Sequence, residues 1–170
     1  AGAVVLKAVD NNTEDVTGAL VGHERGIIDS NIYNDGTGAS VLTGGRRFSD
    51  SCSTDIFIHM DGQEVFKFAV KSVPTAIETL LHNNNMDIND VDKFILHQAN
   101  VRIIESVAKR LKADKDKFPV NLNEYGNTSS SSIPILLDEL NRNGSLKQGD
   151  KLILAGFGAG LSWGSILLVW

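Results

Sequence analysis

Helical and strand-like segments alternate along this chain, and the alternation limits the fold more than any other feature of the sequence. Three stretches place apolar residues at helical spacing, and short apolar runs typical of buried strands separate them. Pro74 interrupts the first stretch, where we expect a kink or a break. From Gly26 the order β-α-β-α-β-α-β-β predicts an α/β domain with a mixed, largely parallel five-stranded sheet, one antiparallel edge strand and helices packed against it. The predicted helices are residues 63–81, 101–111 and 131–142, and the predicted strands are residues 26–33, 91–96, 120–122, 151–157 and 163–169.

The first nine residues, AGAVVLKAV, predict a further strand, because β-branched and apolar side chains cluster there before a turn-rich run. Residues 1–6 also resemble residues 163–168, since each segment is a small-residue turn that leads into an apolar strand. This similarity indicates an internal duplication. Residues 1–9 are then the last strand of an upstream copy, and residues 10–170 form the domain.

The charge balance excludes some classes of partner. The chain has 16 Lys and Arg against 21 Asp and Glu, a formal net charge of -5, so we expect its surface to bind neither nucleic acid nor a membrane. No window approaches the roughly 20 apolar residues of a membrane span, and the first residues lack the basic start of a signal peptide. Cys52 is the single cysteine and cannot form an internal disulfide. These features predict a cytoplasmic protein.

Two polar residues each lie between a predicted strand and the helix that follows it. Open α/β sheets place their ligand sites at this edge. His97 ends the strand of residues 91–96, and Asn127 lies in a Gly-Asn-Thr-Ser segment just before the third helix. An imidazole N–H and an amide N–H that converge on one point would form a two-donor pocket for a developing oxyanion. Each residue also has a plainer interpretation, because a lone strand-end histidine is often structural and Gly-Asn is common in turns and caps.

A glycine-rich corner, GFGAG at residues 156–160, joins the last two predicted strands. It does not fit the dinucleotide-binding pattern, because the next glycine after Gly160 is Gly164 and a strand follows instead of a helix. Glycines at such a corner instead allow a backbone N–H to face a reacting carbonyl.

The remaining titratable residues carry weaker signals. His23, His59 and His82 show no metal-ligand spacing with one another or with Cys52, so we expect no metal site. Cys52 lies in a polar run beside Asp50, whose charge disfavours a thiolate, and we expect it not to be catalytic.

A cluster of cations stands out in this acidic chain. Three of its members share the second predicted helix, and an ordinary solvated helix face is the default interpretation. The cluster comprises Lys67, Arg102, Lys109 and Arg110.

Three motifs occur together and in order. They are HQANVRII at residues 97–104, GNTS at residues 126–129 with the following Ile133-Pro134, and GFGAG at residues 156–160 with the following WGS. With these motifs the whole chain resembles the C-terminal half of the β-ketoacyl-acyl-carrier-protein synthase III family. The resemblance implies a thiolase-like fold, in which two pseudo-repeated βαβαβαββ halves make up the enzyme. It also accounts for the similarity between the two ends of the chain.

The resemblance implies a condensing acyltransferase that initiates fatty acid biosynthesis as a cytoplasmic homodimer, with CoA thioesters as substrates and no other cofactor. A cysteine of the N-terminal half takes the acyl group from acetyl-CoA or another short acyl-CoA, and malonyl-acyl carrier protein then decarboxylates and attacks it. His97 and Asn127 match the residues that hydrogen-bond the malonyl thioester oxygen as the enolate forms. The backbone N–H of Ala159, where the family usually has glycine, matches an oxyanion-hole donor that acts with the N–H of the cysteine.

Binding residues are implied in the same way. Six positions match the lining of the pantetheine tunnel: Met60, Gly62, Phe66, Ala99, Asn100 and Phe157. The cluster of Lys67, Arg102, Lys109 and Arg110 matches the basic rim on which the acidic carrier protein docks.

The nucleophilic cysteine of the family has no counterpart in this chain, so we expect the chain alone to lack acyl transfer. Two other functions stay open. One is a non-catalytic module that binds the carrier protein or CoA. The other is a different thiolase-fold enzyme with the same Cys-His-Asn set, such as a plant-type polyketide synthase or hydroxymethylglutaryl-CoA synthase.

Overall fold

The computed structural model describes residues 1–7, 25–44 and 57–170. Short 3-10 turns lie at Gly36–Gly38, Ile88–Asp90, Lys115–Lys117 and Ser129–Ser131. The helices are α1 (Gly62–Asn83), α2 (Val101–Leu111), α3 (Leu122–Tyr125) and α4 (Ser132–Arg142). The strands are β1 (Gly26–Asn34), β2 (Leu42–Gly44), β3 (Ile58–Met60), β4 (Lys93–Leu96), β5 (Lys151–Gly158) and β6 (Ser162–Val169).

Four strands form one mixed sheet in the order β1-β6-β5-β4, and β2 and β3 form a separate antiparallel pair. β4 and β5 run parallel, whereas β6 is antiparallel to both of its neighbours, β5 and β1. The described sheet is therefore less parallel than predicted, and its antiparallel strand lies inside the sheet rather than at the edge. The tight corner after β5 returns the chain directly beside β5, and β1 then pairs with the other side of β6.

Alternate residues of the central strands face two different layers, as the pleat of a strand requires. Phe94 of β4 and Ile153 of β5 are buried in a core cluster with residues of α1 and α2. Ile95 and Leu152, their neighbours in sequence, pack instead against the apolar face of α4. The sheet is thus covered on both faces, by α1 and α2 on one side and by α4 on the other.

Polar residues cap the starts of α1 and α2. The carboxylate of Asp61 accepts the N–H groups of Gln63 and Glu64 at 3.0 and 3.1 Å. The side-chain oxygen of Asn100 accepts the N–H of Arg102 at 2.8 Å. Both caps fix where a helix leaves a loop that carries predicted site residues.

α1 runs through Pro74 as one helix of 22 residues, so of the kink or break predicted there, the break does not occur. Proline has no N–H, and the carbonyl of Val70 therefore loses its intrahelical donor. Pro74 lies on the buried face of the helix beside Val73 and Ile77. Burial of this apolar face offsets the lost hydrogen bond.

The predicted strand at residues 120–122 is wrong, and the described sheet has four strands rather than five. Pro119 has no N–H to donate to a ladder. The N–H of Asn121 donates to Oε1 of Gln98 at 3.2 Å rather than to a strand. Leu122 then begins the short helix α3.

Residues 1–7 form no strand in the structure, contrary to the prediction for residues 1–9. A strand requires a hydrogen-bonded neighbour. The described residues of this segment pair with no other strand, and Val5 is 92% exposed. Residues 8 and 9 lie outside the described residues. The assignment of residues 1–9 to an upstream copy, separate from residues 10–170, stays a prediction.

Candidate active site

His97 lies at the carboxyl end of β4, where its backbone N–H donates to the carbonyl of Ala155 on β5 at 2.8 Å. Its ring is half-buried and meets Phe157 edge-on, with the ring centroids 5.4 Å apart and the planes at 67°. Burial lowers the pKa of His97, because desolvation disfavours the charged imidazolium. The ring is therefore neutral near pH 7 and offers one N–H donor and one acceptor nitrogen.

Ser132, the first residue of α4, contacts the same imidazole from the neighbouring layer. Its Oγ lies 2.7 Å from Nδ1 of His97 and also accepts the backbone N–H of Gln98 at 3.2 Å. Ser132 is only 2% exposed. Within the described residues no group is hydrogen-bonded to Nε2 of His97, so Nε2 is the ring nitrogen available to a substrate.

Asn127 lies in the loop between α3 and α4. The loop begins at Gly126, whose φ of 65° and ψ of -159° fall in a region that glycine alone adopts at low cost. Asn127 is exposed, and its Oδ1 accepts the N–H of Ser129 at 2.9 Å. Nδ2, the donor end of this amide group, has no hydrogen-bond partner among the side-chain hydrogen bonds of the described residues.

The start of α4 links the two predicted donor residues. His97 is bonded to Ser132, and the loop that carries Asn127 continues through the turn Ser129–Ser131 directly into that residue. Both donors therefore belong to segments that meet at the beginning of α4. Their convergence on one substrate oxygen stays a prediction.

Ala159 is exposed in the corner between β5 and β6. Two backbone hydrogen bonds of 2.8 Å, exchanged between Leu161 and Asp35, hold this corner. Gly160 has a φ of 140°, and a Cβ at this position would collide with the side chain of Ser162. The exposure of Ala159 is compatible with the predicted backbone donor, whose role stays a prediction.

Three of the residues predicted to line the pantetheine tunnel share one environment. Phe66, Ala99 and Phe157 are partly buried and pack against the core cluster beneath α1 and α2. Phe157 also contacts the ring of His97. The structure thus groups these three side chains on the layer that flanks the histidine.

The other three predicted tunnel residues lie at or just before the start of a helix. Met60 ends β3 and is exposed, and Gly62 is the first residue of α1. Asn100 caps α2, so its side-chain oxygen already has a structural partner. Among the described residues, no side-chain hydrogen bond joins any of these three residues to His97.

The four predicted docking cations lie on exposed faces of α1 and α2, two helices that pack together. Lys67 pairs with Glu64 at 2.7 Å, and this hydrogen bond raises the pKa of Lys67. Arg102, Lys109 and Arg110 have no carboxylate within ion-pair distance in the described part of the chain. The three predicted docking cations without an ion-pair partner among the described residues therefore all lie on α2.

Sequence reasoning does not identify Ser132 or Gln98 as parts of the site. Ser132 is hydrogen-bonded to His97 and Gln98 to Asn121, and the partners in each pair are more than 20 positions apart in the sequence. No local sequence pattern reveals such contacts. The one available signal is that Ser132 directly precedes the Ile133-Pro134 start of a helix that follows the GNTS motif.

The structure also tests for membrane-spanning helices and metal sites. None of the described helices is both long enough and apolar enough to cross a membrane. Over the same ranges no three His, Cys, Asp or Glu side chains gather into a potential metal site. Cys52, Asp50 and His23 lie outside the described residues.

A sheet covered on both faces, with His97 where β4 meets α2 and Asn127 just before α4, is the arrangement that the resemblance to a thiolase-like condensing enzyme predicts. The family described as "3-Oxoacyl-[acyl-carrier-protein (ACP)] synthase III C terminal" matches residues 81–170, which are 90 of the 170 residues. The chain belongs to this family. The resemblance inferred from the three motifs is thereby confirmed.

Individual relatives agree with this assignment. Beta-ketoacyl-[acyl-carrier-protein] synthase III from Clostridium tetani is 43% identical over 92% of this chain and 52% of that protein. The crystal structure of 3-oxoacyl-(acyl carrier protein) synthase III from Pseudomonas aeruginosa PAO1 has a TM-score of 0.80 at 32% identity, over 96% of this chain and 47% of that one. The synthase III structure from Aquifex aeolicus VF5 has a TM-score of 0.79 at 37% identity, over 86% and 45%. The thiolase-like fold is confirmed, and the chain spans about half the length of the curated relatives it matches.

Proposed function

We propose that this chain is the decarboxylation half of a β-ketoacyl-acyl-carrier-protein synthase III that condenses a short acyl-CoA, acetyl-CoA, with malonyl-acyl carrier protein. A cysteine thiolate of the N-terminal half attacks the acyl-CoA carbonyl and releases CoA. The bond between the malonyl carboxylate and its α-carbon then breaks, carbon dioxide leaves, and the electron pair forms a thioester enolate. The enolate carbon attacks the acyl-cysteine, the thiolate leaves, and β-ketoacyl-acyl carrier protein is formed.

His97 and Asn127 stabilise the enolate oxygen in this proposal. One observation supports these roles most directly. Each side chain makes its hydrogen bond within the protein through the atom that the reaction does not need. Nδ1 of His97 faces Ser132, and Oδ1 of Asn127 accepts the N–H of Ser129. The Nε2 and Nδ2 ends are left for a substrate oxygen whose charge appears only in the transition state.

The backbone N–H of Ala159 serves the second negative charge, on the tetrahedral oxygen of the acyl-cysteine. Its exposure at the corner after β5 supports this role. The corner needs no side chain for this purpose, because the donor belongs to the backbone.

The pantetheine arm of either substrate lies along the six tunnel residues, and the carrier protein docks on the cations of α2. Arg102, Lys109 and Arg110 support this docking, because they are exposed cations in a chain of net negative charge. Lys67 contributes less while it is paired with Glu64. The substrates are CoA and carrier-protein thioesters, no further cofactor takes part, and the enzyme acts in the cytoplasm as a homodimer.

The test combines this chain with the part of the Clostridium tetani relative that the chain does not cover. Acetyl-CoA and malonyl-acyl carrier protein are supplied, and carbon dioxide and acetoacetyl-acyl carrier protein are both measured. We expect product only from the mixture of the two halves. His97→Ala and Asn127→Ala in this chain are each expected to lower the rate about 100-fold or more, the loss typical of one oxyanion donor.

Matched variants on exposed surface control for nonspecific damage. His82→Ala on α1 and Asn141→Ala on α4 remove the same side-chain types away from the site and should leave the rate unchanged. Product from this chain alone would overturn the proposal, and an acetyl group located on Cys52 by peptide mass spectrometry would identify Cys52 as the nucleophile. Carrier-protein binding without product in the mixture would identify a non-catalytic module, and a preference for free CoA thioesters would identify another condensing enzyme.

A further inference from the structure

We infer that Ser132 is a positioning residue that holds His97 in the tautomer with its proton on Nε2. This inference rests on the proposed function, because only that tautomer presents an N–H donor to the enolate oxygen. No motif of the sequence assigns this serine a role. The argument depends on where each hydrogen atom of the Ser132–His97 pair can go.

The hydroxyl of Ser132 has one proton to donate and two lone pairs to accept with. The backbone N–H of Gln98 already donates to this oxygen at 3.2 Å. Among the described residues, the one hydrogen-bond acceptor found for the hydroxyl proton is Nδ1 of His97, at 2.7 Å. Since Ser132 is almost fully buried, water cannot readily serve in place of Nδ1.

The reverse arrangement, with Nδ1 donating to Oγ, would give that oxygen a second incoming proton and leave its own proton without a partner. A buried donor without a partner is strongly disfavoured. The hydroxyl therefore donates, and Nδ1 accepts.

The surroundings of the ring disfavour a proton on Nδ1 for a second reason. Ser132 is the first residue of α4, a helix of 11 residues, and the start of a helix carries partial positive charge. Nδ1 faces that end of the helix through Ser132. A neutral imidazole whose Nδ1 carries no proton has it on Nε2, the nitrogen that faces away from α4.

The first experiment reads the tautomer directly and needs no enzymatic activity. Long-range proton–nitrogen correlation spectra of the 15N-labelled chain at neutral pH distinguish a protonated ring nitrogen from an unprotonated one, and His97→Gln identifies the signals. Wild-type His97 should show an unprotonated Nδ1 and a protonated Nε2. Ser132→Ala should raise the Nδ1-protonated population severalfold, whereas the exposed control Ser130→Ala should leave it unchanged.

The conservative variant Ser132→Thr keeps a hydroxyl at the same position and should restore the wild-type spectrum. It also keeps the inference testable if Ser132→Ala does not fold. A wild-type His97 with a protonated Nδ1, or a Ser132→Ala chain with an unchanged spectrum, would overturn the inference.

The second experiment measures decarboxylation in the mixture with the Clostridium tetani half. Ser132→Ala should lower kcat about tenfold with little change in KM, because a remaining Nε2-protonated population keeps part of the donor function. Ser132→Thr should recover most of the rate. If the wild-type mixture released no carbon dioxide while the spectra showed the expected tautomer, the proposed function would fail and the assignment of the tautomer would stand. Unchanged kcat in Ser132→Ala, in a mixture that is active, would remove the catalytic consequence of the tautomer.

Discussion

Gln98 is the most informative residue to replace, because it joins the end of β4 to the segment that leads into α3. Its side chain is completely buried. Nε2 donates to the carbonyl of Leu96 at 2.9 Å and to that of Pro119 at 3.5 Å, and Oε1 accepts the N–H of Asn121 at 3.2 Å. Gln98→Leu keeps nearly the same volume and removes all three hydrogen bonds.

The expected loss in the free energy of unfolding follows from the backbone groups that lose their hydrogen-bond partner. The N–H of Asn121 and the carbonyl of Leu96 lose well-formed partners, and each buried polar group without a partner costs about 1–3 kcal/mol. The bond to Pro119, at 3.5 Å, is at the limit of hydrogen-bond distance and adds little. Leucine returns about 1 kcal/mol through its larger apolar surface. We therefore expect the free energy of unfolding to fall by about 3 kcal/mol.

Equilibrium unfolding in urea, followed by tryptophan fluorescence, measures this change. Gln148→Leu is the matched control, because Gln148 is exposed in the loop before β5, and a surface substitution of this kind stays within about 0.5 kcal/mol of wild type. The slope of the unfolding free energy with urea should be the same in both variants, so that the difference reports stability alone. A loss below about 1 kcal/mol in Gln98→Leu would refute the reasoning, since it would mean that water or a backbone shift satisfies the abandoned groups.

Three further predictions concern the site and its supports. Gly164→Ala should lower the free energy of unfolding by about 1–3 kcal/mol, because a Cβ there would lie 2.5 Å from the carbonyl oxygen of Asn31 on β1. Gly158→Ala is its control, since no atom lies within 4 Å of a Cβ added at Gly158. Gly126→Ala should cost about 1–3 kcal/mol through backbone strain alone, because nothing lies within 4 Å of the added Cβ. Since burial lowers the pKa of His97, the unfolded chain binds a proton there more readily than the folded chain. The free energy of unfolding should therefore fall as the pH drops from the unfolded pKa of about 6.5 toward the folded value, and His97→Gln should lose that part of the dependence.

Urea unfolding checks all three, the last at several pH values between neutral and mildly acidic. Equal stability of Gly164→Ala and Gly158→Ala would contradict the close approach of β6 to β1. A Gly126→Ala chain as stable as wild type would mean that the loop before Asn127 adopts another backbone conformation. An identical pH dependence in wild type and His97→Gln would show that the imidazole is not desolvated.

Sequence patterns predict the three long helices well because each has an apolar stripe that local spacing reveals. The same reasoning fails at residues 120–122, where the alternation of valine, asparagine and leucine imitates a strand. The N–H of Asn121 there is satisfied by the side chain of Gln98, which is distant in sequence. The site follows the same rule. His97 is identified by its position after a strand, whereas Ser132 is not identified, because its contact to that ring exists only once α4 packs against the sheet.

The geometry around His97 is therefore a consequence of core packing rather than of the loop that carries it. Ile95 lies two positions before the histidine on β4 and packs in the same apolar cluster as Leu136 of α4. This cluster sets how closely α4 approaches β4, and with it the 2.7 Å contact between Ser132 and the imidazole. Asn127 depends on the same helix, since its loop runs directly into the start of α4. The face of the sheet covered by α4 thus fixes both polar residues, while the face covered by α1 and α2 supplies Phe157 and the exposed cations. In the proposed mechanism the two layers therefore have separate roles, because one orients the two donor groups and the other supplies the binding surfaces around them.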